Sequence, residues 1–270
     1  MRWINRRPGR PLAVFLALLP FALAALVYLA GSQARLAVNP ADKLLPAPAQ
    51  ILDTAIAAVT EPDKRSGAIL FWNDTAASLM RLAQGVGIAA ALALALGLLI
   101  GLLPLGRAAL ASFIAAVSMA PPLALLPILF IVFGLGELSK VALIVIGTAP
   151  FMIRDLSQRV LETPAEQIIK AQTLGASSAV VALRVALPQL APRLVQAVRL
   201  SLGPAWLFLI AAEAIAATEG LGYRIFLVRR YLAMDVILVY VVWITVLAAL
   251  MDFGLRRLSA WAFPWAEARA

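Results

Sequence analysis

Ala171–Pro192 reads AQTLGASSAVVALRVALPQLAP. Around it lie apolar runs long enough to cross a bilayer, but this stretch is not one of them. A glycine, a serine pair, an arginine and two prolines interrupt it, and the polar run ETPAEQIIK precedes it. The local chemistry is helical all the same. Thr163-Pro164-Ala165-Glu166 has the form of a capping box, with Thr163 at the N-cap, Pro164 at the first helical position and Glu166 at the third. The spacing predicts a helix over Thr163–Leu174 with Ile168, Ala171 and Leu174 on one face. Gly175 suits a left-handed stop. Ser177 or Ser178 can cap a second helix that runs to Leu187 and ends at Pro188. Two short helices joined by a glycine turn fit either a groove on another protein or the lipid surface.

The rest of the chain sets the context. Of 270 residues, 63% are hydrophobic and 14% charged, against roughly 45–50% and 25% in a soluble domain. This is the composition of a polytopic membrane protein. The net charge of +9 does not point to nucleic acid, because the basic residues flank the apolar runs, where loop placement accounts for them. With no cysteine and no histidine, thiolate sites, disulfides and the commonest general base are excluded, and no metal site or catalytic residue is expected. None of the lysines (Lys43, Lys64, Lys140, Lys170) follows a glycine, so the chain has no phosphate-binding P-loop.

Runs of about 20 apolar residues mark spans. Six are expected: Leu12–Ala30, Leu79–Leu103, Ala108–Phe133, Val141–Ile153, Leu194–Ala217 and Asp235–Phe253. The first also has the outline of a signal peptide, but it is long for one and a poor cleavage site follows. Within the second, Gly97 and Gly101 form a Gly-x-x-x-Gly pair that permits close helix approach, or simply a small-residue face. Pro121, Pro122 and Pro127 interrupt the third, either opening backbone groups toward a polar cavity or making a tolerated kink. With both termini inside, fourteen of the 23 Lys and Arg lie on the inner side, the direction the positive-inside rule favours. The expected division is 1–11 cytoplasmic, 12–30 first span, 31–78 periplasmic, 79–257 membrane core with a cytoplasmic loop at 154–193, and 258–270 cytoplasmic tail. The fold class is an all-α polytopic bundle of six transmembrane helices.

The loop also resembles a known pattern. Permease subunits of ATP-binding-cassette (ABC) importers carry Glu-Ala-Ala, three residues, Gly, nine residues, then Ile-x-Leu-Pro. Here Gly175 is followed by nine residues and Val185-Ala186-Leu187-Pro188, while Ile169-Lys170-Ala171 keeps only the last alanine. Further blocks are similar to the nitrate, sulfonate and taurine branch of the binding-protein-dependent transport inner-membrane component family. They are LLPAPAQIL (Leu44–Leu52), MAPPLALLPILFIVFGLGELSK (Met119–Lys140), GPAWLFLIAAEAI (Gly203–Ile215) and GLGYRI (Gly220–Ile225).

The resemblance implies a MetI-like type I importer fold in the bacterial inner membrane, carrying a small anion of the nitrate, sulfonate or taurine kind. It implies two ABC ATPase subunits that hold the ATP and Mg, no cofactor on this chain, a second permease copy, a periplasmic or lipid-anchored solute-binding protein, and surrounding lipid. The expected ATPase-coupling residues are Glu166, Ile168, Lys170, Ala171, Leu174, Gly175, Leu187 and Pro188. Expected on the translocation path are Pro121, Pro122, Trp206 and Glu213, although Trp206 also suits packing and Glu213 a structural or gating role. Gly220 and Gly222 are expected in a tight external turn near the binding protein, and Arg224, Arg229 and Arg230 on a solvated face. The rival reading is a stand-alone secondary transporter, which requires inverted repeats and mid-bilayer carboxylates.

Overall fold

The computed structural model describes residues 8–40, 42–64 and 66–267, and among these every regular element is helical. Arg2, Arg6, Arg7 and Arg269, four of the inner-side charges, lie outside the described residues. Five helices are long and apolar enough to cross a membrane: Arg10–Val38, Leu70–Leu102, Glu137–Leu161, Ser178–Ala216 and Met234–Ala262. A bent pair, Pro104–Val117 with Pro122–Phe133, makes a sixth when counted as one span.

Helix α1 (Arg10–Val38) buries only Ser32. Its ties run to the segment that follows: the Tyr28 hydroxyl donates to the Pro46 carbonyl at 2.7 Å and Ser32 Oγ to that of Leu45 at 3.0 Å. Phe15, Phe21 and Val27 are exposed, as expected of a helix whose solvent is lipid. The stretch assigned to a periplasmic segment holds a helix the sequence did not announce, α2 (Pro48–Thr60). Thr54 Oγ1 on α2 donates to Asp235 at the start of the last span, at 3.0 Å.

The core is α3 (Leu70–Leu102) against α6 (Glu137–Leu161), with α9 (Leu187–Ala216) packed on both. Gly85, Ala89, Ala93, Gly97 and Gly101 recur every fourth residue and are buried. A Cβ added at Gly97 would lie 2.9 Å from Leu156 Cβ, and one at Gly101 2.3 Å from Val160 Cβ. The glycine pair is therefore a helix contact: two backbones come close enough that dispersion and Cα–H contacts replace side-chain packing. At 33 residues, α3 is about 50 Å long, well beyond the roughly 30 Å of hydrocarbon. It starts nine residues before the expected Leu79.

The third span is not continuous. α4 (Pro104–Val117) and the piece made of a 3₁₀ turn (Pro122–Leu125) and α5 (Leu126–Phe133) meet at 85°. The cause is local. Pro121 and Pro122 have no N–H to donate, and a residue before proline is driven from helical to extended backbone; Pro121 itself sits at φ −70°, ψ 112°. Arg154 Nη1 donates to Ser118 Oγ at this break, at 2.9 Å.

After α6 come α7 (Ala165–Thr173), the short α8 (Ser178–Val180) and a π-helical turn (Val181–Ala186) that runs directly into α9. The expectation that Pro188 ends a helix is overturned. The π turn shifts the hydrogen-bond register by one, with the Leu187 amide on the Ala182 carbonyl. Pro188 then falls in the first turn of α9, where its missing N–H costs nothing. The chain closes with α10 (Leu221–Val228), a 3₁₀ turn (Arg229–Tyr231), α11 (Met234–Ala262) and α12 (Pro264–Glu267).

Candidate functional site

The loop presents one short exposed helix. α7 has no fully buried residue. Its C-terminus closes as a Schellman motif: the Gly175 amide donates to Gln172 O at 2.9 Å and the Ala176 amide to Ala171 O at 3.0 Å. Gly175 sits at φ +84°, in the region that penalises any residue with a Cβ. Ser177 Oγ then accepts the Val180 amide at 3.4 Å.

The N-terminal capping box does not form. Pro164 is itself the N-cap, at ψ 125°, which displaces Thr163 outside the helix and leaves Glu166 at the second helical position. The proposed face is also divided. Helix α7 packs on the chain's own π turn, and Ile168 and Ala171 are half-buried, whereas Glu166, Ile169, Lys170, Leu174 and Gly175 are exposed, Leu174 at 88%. Leu187 is half-buried and Pro188 exposed. Ile169, which the sequence reading passed over, belongs to the exposed set.

At the opposite end of the bundle lies a buried ionic cluster that the sequence reading did not assemble. Glu213 is fully buried. It accepts from Ser78 Oγ at 2.8 Å, from Arg81 Nη1 at 2.8 Å and from the Gly222 amide at 2.8 Å. Arg81 also donates to the Glu219 carbonyl at 2.9 Å and to Glu137 Oε1 at 2.9 Å, and Lys140 Nζ donates to the same Glu137 oxygen at 2.7 Å. Asp74, equally buried, takes the Gly220 amide at 2.8 Å and Arg224 Nε at 2.7 Å. Ser78 Oγ accepts the Leu221 amide at 2.8 Å. The first amides of α10 are thus held by two carboxylates and a hydroxyl, where unpaired N–H groups and the helix dipole favour negative charge. Burial works against the Arg224 charge, but its contact with Asp74 prevails and holds its pKa above the ordinary arginine value.

Several expectations change here. Glu213, expected on the path or in a structural or gating role, is enclosed by donors from Ser78, Arg81 and Gly222. Trp206 is buried in the apolar core, with its Nε1–H unpaired among the described residues. Gly220 and Gly222 do form a tight turn, Gly220 at φ +119°, and both glycines are buried. A Cβ at Gly220 would lie 2.6 Å from the Glu213 carboxyl carbon, while Thr218 and Glu219 just before it are exposed. Arg224 is paired, not solvated. Among the expected path residues, Pro122 borders a cavity. That cavity, about 660 Å³, is mostly apolar, with Thr148, Phe151, Asp155, Ser201 and Pro204 also on its wall.

Residues 87–263 match the binding-protein-dependent transport system inner membrane component family. The chain belongs to that family. It is 37% identical over 82% of its length to the taurine transport system permease protein TauC of Escherichia coli (strain K12), covering 80% of that protein. It is 29% identical to the bicarbonate transport system permease protein CmpB of Synechococcus elongatus, over 73% of this chain and 69% of that one. Its backbone superposes on a chain of the inward-facing MetNI methionine ABC transporter with a TM-score of 0.62, covering 70% of this chain and 94% of the other at 22% identity, a likeness of fold. The protein is thus a multi-pass membrane permease component of an ABC importer. In this permease the exposed α7 and the buried cluster stand at opposite ends of α6 and α9.

Proposed function

We propose that two copies of this permease form the path for a small anion of the sulfonate, taurine or bicarbonate class, delivered by a solute-binding protein. In this reading a pair of ABC ATPases, carrying ATP and Mg, docks on α7, which places the loop and both termini on the cytoplasmic side of a bacterial inner membrane. The observation that carries the reading is α7 itself, an exposed nine-residue helix locked by a Schellman turn between two membrane helices. Glu166, Ile169, Lys170, Leu174 and Gly175 present the docking surface, while Ile168, Ala171, Leu187 and Pro188 join it to the spans. A rigid knob of this kind transmits motion because its ends are fixed in α6 and α9, so a displacement of α7 reaches the membrane core. The cavity beside Pro122, Thr148 and Ser201 is one wall of the path, completed by the second copy.

Purification from the native membrane in mild detergent, with mass-spectrometric identification of what accompanies the chain, tests the proposal. A stoichiometric cassette ATPase is the expected companion, and a co-purifying binding protein gives the means to find the solute. Recovery of the chain alone, under conditions that keep other such complexes together, overturns the docking assignment.

A further inference from the structure

A second cavity, about 500 Å³, opens where the loop meets the C-terminal turn. Arg159 near the end of α6, Pro164 and Gln167 at α7, Gln189 and Arg193 on α9 and Trp265 on α12 border it. Arg159 is shared between Glu162 at 3.2 Å and Asp155 at 3.8 Å. Arg193 donates to Gln196 at 3.1 Å, and no carboxylate among the described residues pairs with it. A guanidinium has five N–H donors in a fork that matches a phosphate, and most of those on Arg193 are open. Pro164 brings no side-chain cap to α7, so the first amides of that helix begin at the cavity rim with their partial positive charge. Trp265 and Trp261 are largely exposed at this end of the bundle, the placement tryptophan favours at the level of lipid headgroups.

We propose that this cavity is a binding site for a phosphate-bearing anion, with Arg193 as the main ligand, Arg159 as the second and Trp265 closing one side. A phospholipid headgroup and free phosphate share this chemistry. The site is joined to the loop by one side chain. Gln189 Nε2 donates both to Gln167 Oε1 and to the Val185 carbonyl, each at 2.9 Å, linking α7 to the π turn across the cavity wall. An anion seated there stiffens that link. Binding stands independently of the transport reading, and only the effect on coupling rests on it.

The test is native mass spectrometry of the full chain, with whatever co-purifies, in mild detergent containing phosphatidylglycerol, phosphatidylcholine or neither. The wild type is expected to retain phosphatidylglycerol, and Arg193→Gln to retain about tenfold less, about 1.4 kcal/mol. Arg193 is exposed with one side-chain partner, so this variant leaves the fold intact. Arg257→Gln, whose guanidinium lies over Phe253 away from the cavity, should bind as the wild type does. Quenching of tryptophan fluorescence by brominated phosphatidylglycerol should fall in Trp265→Phe. Displacement of the lipid by millimolar inorganic phosphate identifies a soluble anion as the ligand, and its failure to displace identifies the headgroup. Equal retention by wild type and Arg193→Gln, or equal retention of the two lipids, overturns the proposal.

Discussion

Arg81 concentrates most of the ionic chemistry of this permease in one side chain. It meets Glu213 on α9, Glu137 on α6 and the Glu219 carbonyl ahead of α10, so three helices and a turn converge on one guanidinium. Removing one partner of a buried pair leaves the other uncompensated, which costs about 3–5 kcal/mol. Arg81→Gln should therefore lower the thermal unfolding midpoint in detergent sharply, and so should Glu213→Gln. The double variant should recover part of the loss, because neither charge is then orphaned; a strictly additive double variant contradicts the pairing. Glu213 was conspicuous in the sequence as a carboxylate inside an apolar run. Its partner was not, because Arg81 stands 132 positions away at the start of a different span, and no local spacing reports a contact of that range. The opposite charges at two span ends were the only available signal.

At the scale of elements, the two ends of α7 differ in how far the sequence reveals them. Its C-terminus was legible at Gly175, since a glycine after a helical run marks a left-handed residue almost unambiguously. Its N-terminus was misread because proline serves equally as N-cap and as first helical residue, and only the backbone angles decide. The π turn at Val181–Ala186 was invisible, being a one-residue change of register with no residue type of its own. Gly175→Val forces a β-branched side chain into φ +84°, a strain of about 1–2 kcal/mol. Uptake by the reconstituted importer should fall several-fold while ATP hydrolysis continues, and unchanged uptake would refute a coupling role for the turn. Leu174→Asp should reduce recovery of the ATPase without changing the yield of the permease. Equal recovery would assign the exposed leucine to lipid contact.

For the whole molecule, five of the six expected spans followed from apolar length alone, because in hydrocarbon the backbone must satisfy itself within each helix. What length did not reveal is shape. The third span is bent by 85°, and hydropathy cannot separate a straight run from two half-helices. The orientation rests on charge, which makes it directly testable: a reporter fused after Ala270 should read as cytoplasmic, and an external signal would invert the placement of α7 and of every partner assigned to it. The family match begins at residue 87, after Asp74, Ser78 and Arg81. Three side chains of the buried cluster thus lie upstream of the segment that matches the family.

The distance between Asp74 and Gly220 also has a temporal side. These partners are 146 residues apart, and at 5–20 residues per second of synthesis the carboxylate waits roughly 7–30 s for its amide. During that interval the Asp74 carboxylate lacks the amide that it holds in the finished fold, whereas Glu137 and Glu213, the partners of Arg81, are made before Gly220. The corner that pins α10 is therefore among the last parts of the protein to mature.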